Sequence, residues 1–114
     1  MIEVEADNLC ALGTAMSNLA GTYSVLGRHQ DALAMGEKTL EFRRRSLPEN
    51  HPDIGISFFN LCMSCHMAGD FHRALQFARE ALHILQATLP PSHPHVKQAQ
   101  QFVRGCEGDI ARRF

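Results

Sequence analysis

The sequence predicts an all-α protein built as a stack of helix hairpins, and three observations carry that expectation. Single residues and pairs return after 42 positions in one register: Asn18-Leu19 as Asn60-Leu61, Gly27 as Gly69, Ala32-Leu33 as Ala74-Leu75, and Leu40 as Leu82. A proline-rich joint, Leu47-Pro48-Glu49-Asn50-His51-Pro52, returns with the same shift as Leu89-Pro90-Pro91-Ser92-His93-Pro94. Between these punctuation marks apolar residues recur every three or four positions, the spacing of one side of a helix. A period of this length marks a repeat architecture, in which each unit is too small to bury its apolar face and must stack on its neighbour.

Each helix follows from its own residues. Over residues 5–26, Leu9, Leu12, Met16, Leu19, Tyr23 and Leu26 fall on one side, and Gly27 supplies the left-handed conformation that ends helix one. Ala32, Leu33, Leu40 and Phe42 define helix two over residues 30–46. Pro48 and Pro52 cannot sit in a helix interior, but Pro52 suits a first turn, with Asn50 or His51 as cap and Asp53 at the positive end of the dipole. Helix three therefore runs from there to about residue 68, where Gly69 stops it. Helix four covers 71–88, and the cluster Pro90, Pro91, Pro94 opens helix five, which ends near Arg112 among the polar residues Glu107, Asp109, Arg112 and Arg113. Short loops make neighbouring helices antiparallel. The expected layout is a single domain: repeat one over 12–53, repeat two over 54–95, and a capping helix over 95–112.

Composition limits the functions to consider. The 114 residues are 45% hydrophobic, enough for a continuous core. Eleven basic and twelve acidic side chains leave a formal charge of −1, which points away from nucleic acid and from an anionic membrane surface as partners. No apolar run approaches the roughly 18 residues of a spanning helix, and the first five residues, Met1, Ile2, Glu3, Val4 and Glu5, are acidic where a signal peptide is basic. Four cysteines (Cys10, Cys62, Cys65, Cys106) in apolar helical contexts are too few for a disulfide framework, so the cytoplasm is the expected location.

These residues resemble the tetratricopeptide family. Met16, Leu19, Ala20, Tyr23, Gly27 and Ala32 match its pattern in the first unit, and Phe58, Leu61, Cys62, Cys65, Gly69, Ala74 and Ala81 in the second. The 42-residue length and the His51-Pro52-Asp53 joint, echoed by His93-Pro94-His95, are similar to the kinesin light chain and nephrocystin type of repeat. The resemblance implies a right-handed α-α superhelix of two hairpins plus a C-terminal capping helix. It further implies a protein-protein interaction module that is not an enzyme, needs no cofactor, and holds an extended peptide or partner protein on its concave face. Gly36 and Thr39 depart from the pattern, since a glycine inside a helix costs about 1 kcal/mol relative to alanine, and Phe102 stands where the first two units carry Asn.

In this family the first helix of each hairpin lines the groove. The implied contacts are Thr14, Ser17, Asn18, Gly21, Ser24 and Val25 in unit one, and Ile56, Phe59, Asn60, Met63, His66 and Met67 in unit two. Asn18 and Asn60 occupy the position from which family members hydrogen-bond a peptide backbone, and an amide that both donates and accepts suits that task. Bonding within the helix layer is the competing role for each Asn, and packing on a neighbouring helix is the competing role for Phe59, Met63 and Met67. A different class of function is an architectural or self-associating segment that stacks through its exposed ends, one of them covered by residues 1–9.

Cys62-Met63-Ser64-Cys65-His66 reads as the C-x-x-C-H haem-attachment pattern, and the same side chains are zinc-ligand types. Against both, Cys62 and Cys65 fall at core positions occupied by Ala20 and Tyr23 in the first unit, and no second Cys/His pair lies at finger-like spacing. Arg43-Arg44-Arg45 is read as a cationic last turn on the outer helix that complements its dipole, with an acidic partner as the competing role. No nucleophile with base, phosphate loop or carboxylate pair stands in a supporting context.

Overall fold

The computed structural model describes residues 2–113, with side chains for 8–112. Five helices follow one another: α1 (Ile2–Val25), α2 (His29–Ser46), α3 (Pro52–Met67), α4 (Phe71–Thr88) and α5 (Pro94–Arg113). The expected boundaries hold to within three residues. Any covering role for residues 1–9 falls largely outside the described side chains.

The stops and starts obey the repeat. Gly27 and Gly69 take φ of 78° and 84°, the left-handed region closed to most side chains, and turn the chain from one helix into the next. The same backbone bonds accompany both, Arg28 N–H to the Tyr23 carbonyl at 2.8 Å and Asp70 N–H to the Cys65 carbonyl at 2.9 Å. At the joints, His51 Nδ1 accepts from Asp53 N–H and His93 Nδ1 from His95 N–H, each at 3.1 Å, so the repeated histidine is a helix cap.

The helices form two layers. α1, α3 and α5 touch in sequence in one layer, while α2 and α4 pack over the seams between them, and the backbones of α2 and α4 are not in contact. The Arg73–Glu37 ion pair at 3.1 Å bridges that outer gap. The α1/α3/α5 layer is therefore closed side by side, and the α2/α4 layer is open. The molecule extends 55 × 33 × 19 Å.

Small residues set the packing distance. α4 presents Ala74, Ala78, Ala81 and Leu85 as one buried stripe, and the corresponding residues of α2 are Ala32, Gly36, Thr39 and Arg43, also buried. Gly36 has a physical reason here: a Cβ on it would lie 2.7 Å from Leu61 Cδ2, so the glycine lets α2 approach α3. Thr39 satisfies its buried hydroxyl by donating to the Met35 carbonyl at 2.8 Å.

Two sequence expectations are corrected. Arg43 is not on the outer surface: it is 7% exposed and donates from Nη1 to Ser57 Oγ at 2.8 Å and to the Asp53 carbonyl at 3.2 Å. It fills the slot that Leu85 fills one unit later, because a residue 42 positions back inherits the same inward direction. Second, the apolar side of α1 is not covered throughout. Leu9, Leu12, Leu19 and Leu26 are 40, 49, 41 and 66% exposed, since α2 covers a neighbouring strip of α1 that includes Gly13 and Ala20.

Candidate functional site

Two clefts open on the α1/α3/α5 face. The larger, about 660 Å³, lies between α1 and α3 and brings together Ser17, Asn18, Gly21, Ser24, Val25, Asn60 and Met63. Asn60 Nδ2 donates to Ser17 Oγ at 2.9 Å, which ties α3 to α1 and fixes the amide plane. Among the described residues, one N–H and the Oδ1 of Asn60 have no further partner. Asn18 is exposed, and its amide makes no hydrogen bond to another described residue. Gly21 leaves the cleft floor open, with no side chain within 4 Å of where its Cβ would stand. Met63, 40% exposed, and Val25, 86% exposed, supply flexible and branched apolar edges.

A second cleft of about 290 Å³ lies between α3 and α5, lined by Phe59, His66, Gln98, Gln101, Phe102, Gly105 and Cys106. Phe102 meets Phe59 edge-on at 5.5 Å and His66 at 5.3 Å, and Phe71 meets His66 edge-on at 5.1 Å. His66 Nε2–H donates to Asp109 Oδ2 at 3.1 Å, and Arg112 holds the other carboxylate oxygen. The His66 bond, then Arg112, draw the Asp109 carboxyl below its usual range. Where units one and two have an asparagine, this third position has an aromatic wall.

Of the residues singled out from sequence, Ser17, Asn18, Gly21, Asn60 and Met63 share the first cleft, and Phe59 and His66 share the second. Met67 is 50% exposed and lines neither. Sequence reasoning missed Gln98, Gln101, Gly105 and Asp109. The repeat held the signal: they lie 42 positions beyond Ile56, Phe59, Met63 and Met67.

The C-x-x-C-H cysteines are core. Cys62 and Cys65 are 0 and 2% exposed against Ala74, Ala78 and Cys106, and burial pushes both thiols up, away from the thiolate that thioether or metal chemistry requires. Among the described residues no three His, Cys, Asp or Glu side chains converge as metal ligands, and no helix is long and apolar enough to cross a membrane. What the face offers is one oriented amide, Asn60, and one exposed amide, Asn18, beside apolar side chains.

The sequence profile of the tetratricopeptide repeat matches residues 11–87. No curated protein matches the chain. Similar solved structures include the nearly identical TPR-like repeats of a kinesin light chain from Podosopora anserina and a variant of the same protein. Each superimposes with a TM-score of 0.77 at 20% identity, covering 87% of this chain and 47% of that one. At that identity the likeness establishes the fold, and the chain spans about half the length of those structures. Repeats of this kind generally serve protein-protein contact. With the profile covering most of both hairpins and the fold in agreement, the chain belongs to the tetratricopeptide repeat family.

Proposed function

We propose that the chain is a cytoplasmic interaction module, not an enzyme, that binds an extended peptide segment of a partner protein across the α1/α3/α5 face. The observation that carries this is the amide pair in the first cleft. Asn60 is pre-oriented by Ser17, and Asn18 stands exposed one unit away with its amide unused. An extended backbone presents alternating N–H and C=O groups, and two amides on successive helices match that alternation while Met63 and Val25 receive side chains. The second cleft continues the track with Phe59, His66 and Phe102 as a well for an apolar or aromatic side chain. Three buried free thiols in the core fit a reducing compartment.

The test is binding of peptides selected from a random display library against the wild-type chain. Neutral hydrogen bonds contribute roughly 1 kcal/mol each, so the Asn18→Ala, Asn60→Ala double variant should weaken binding by about 10- to 100-fold. A substitution on the outer layer, Lys38→Ala, should leave affinity unchanged. Selected peptides whose affinity ignores both asparagines would refute the assignment.

A further inference from the structure

The repeat provides an internal control for which helix faces are covered. On α3, Ile54, Ser57 and Leu61 meet α2 and Ser64 meets Ser24 of α1, and the four are 1, 2, 1 and 6% exposed. Their counterparts 42 residues later on α5, Val96, Ala99, Val103 and Cys106, lie under α4, with Val96, Ala99 and Cys106 at 0, 0 and 1%. Their counterparts 42 residues earlier on α1 are Leu12, Ala15, Leu19 and Thr22, and all four are exposed. Leu26 extends the stripe beyond the end of the helix. A face buried twice over within the molecule is therefore open once, at the α1 end.

The outward face of α5 has a different character. The α3 residues that α4 covers include Gly55, Phe58, Cys62 and Cys65. Shifted by 42 they become Lys97, Gln100, Arg104 and Glu107 on α5, a hydrophilic surface that is exposed at Lys97, Arg104 and Glu107 and half-buried at Gln100. Glycine and cysteine stand where a helix packs, and lysine and arginine where none does. Head-to-tail stacking would press the Leu12 and Leu19 stripe against those charges, with the desolvation of Lys97 and Arg104 left uncompensated.

We infer that the exposed Leu12–Leu19 face of α1 is a self-association surface, covered by the same face of a second copy of this chain in an antiparallel, two-fold pairing. Three features select this occupant. The stripe is its own apolar complement: in an antiparallel pair Leu12 of one copy meets Leu19 of the other, with the small Ala15 beside Met16 near the axis where the helices must approach. Between Asn8 and Val25, α1 carries no Asp, Glu, Lys or Arg, so identical faces meet without like-charge repulsion. The hydrophilic outward face of α5 offers the stripe no apolar partner, which favours pairing of the stripe with itself. Thr22 and Leu26 also border the first cleft, and Thr22 of one copy lies opposite Leu9 of the other, so the two clefts stand at opposite ends of the paired helices. The inference does not depend on what the clefts bind.

The experiment is the solution mass of the 114-residue chain by sedimentation equilibrium across the micromolar range. Twice the 12.7 kDa chain mass is expected. Leu12→Glu with Leu19→Glu should return the single-chain mass with an unchanged helical circular dichroism spectrum, since both side chains are already exposed. Lys97→Glu with Arg104→Glu at the opposite end should leave the dimer intact. A short bis-maleimide should bridge Ala15→Cys in a Cys10→Ser background, where the new thiols face each other near the axis. A single-chain mass throughout, or a dimer that survives the leucine changes or is lost with the α5 changes, would overturn the inference.

Discussion

At the scale of single residues, two glycines of the same chemistry have opposite expected effects. Gly36 sits inside α2 with Leu61, 1% exposed, directly in front of it, whereas Gly108 in α5 has nothing within 4 Å of its Cβ position. Alanine gains about 1 kcal/mol in helix propensity at either site. At Gly36 that gain is outweighed by overpacking of about 1–3 kcal/mol, because a fully buried leucine has nowhere to swing. Urea denaturation should therefore show Gly36→Ala destabilising by about 1 kcal/mol and Gly108→Ala stabilising by a similar amount. Equal shifts of the same sign would show that Gly36 is not a packing residue. Asp109 gives a pH-dependent case. Its folded pKa is lowered by His66 first and Arg112 second, so its contribution is present above the ordinary carboxylate range. It is lost as pH falls through the lowered value. Stability measured against pH should fall less steeply below about pH 4 in Asp109→Asn than in the wild type, and parallel curves would contradict this.

At the scale of helices, the two seams of the stack use different chemistry at one equivalent place. Under α4, Leu85 packs between Gly55 and the Val96–Ala99 stripe of α5. Under α2 the corresponding set is Gly13, Arg43 and Ser57: the guanidinium replaces the leucine, and the serine that receives its N–H replaces Ala99. The exchange is paired because a buried guanidinium needs acceptors and a buried leucine does not. Ser57→Ala alone should cost about 1–3 kcal/mol by leaving that N–H unsatisfied. Arg43→Leu with Ser57→Ala should recover to within about 1 kcal/mol of the wild type, or exceed it. A double-mutant cycle in chemical denaturation measures the coupling, and additive penalties would rule out the exchange. This seam also shows where sequence reading stops. The helix limits were legible because Gly27, Gly69 and the two proline joints are local signals. Arg43 was misplaced because a cation in a last turn fits a local rule equally well, and only its partner Ser57, fourteen residues on, reveals the burial.

At the scale of the molecule, the 42-residue period carried most of what was readable, including the five helices and their antiparallel hairpins, while the groove-lining residues were implied by the family resemblance. The period also contained the α5 side of the second cleft, which shifting the α3 positions by one unit recovers. It could not say which apolar strip of α1 is covered. Periodicity identifies an apolar side, but cover depends on a neighbouring helix, and α1 has one only on the strip facing α2 and α3. The same limit applies to the binding face: Asn18 and Asn60 were legible as residues, while the Ser17 bond that orients Asn60 and the Asp109 bond that restrains His66 are products of the stacking. Fold alone names no partner, so the function rests on this face.

The most direct measurement is amide chemical-shift mapping of the chain with a library-selected peptide. Binding across the α1/α3/α5 face should give the largest changes at the Asn18 and Asn60 side-chain amides and at the backbone of Gly21 and Met63, with α2 and α4 surface residues unmoved. Perturbations concentrated on α2 and α4, with both asparagine amides unshifted at saturation, would contradict it.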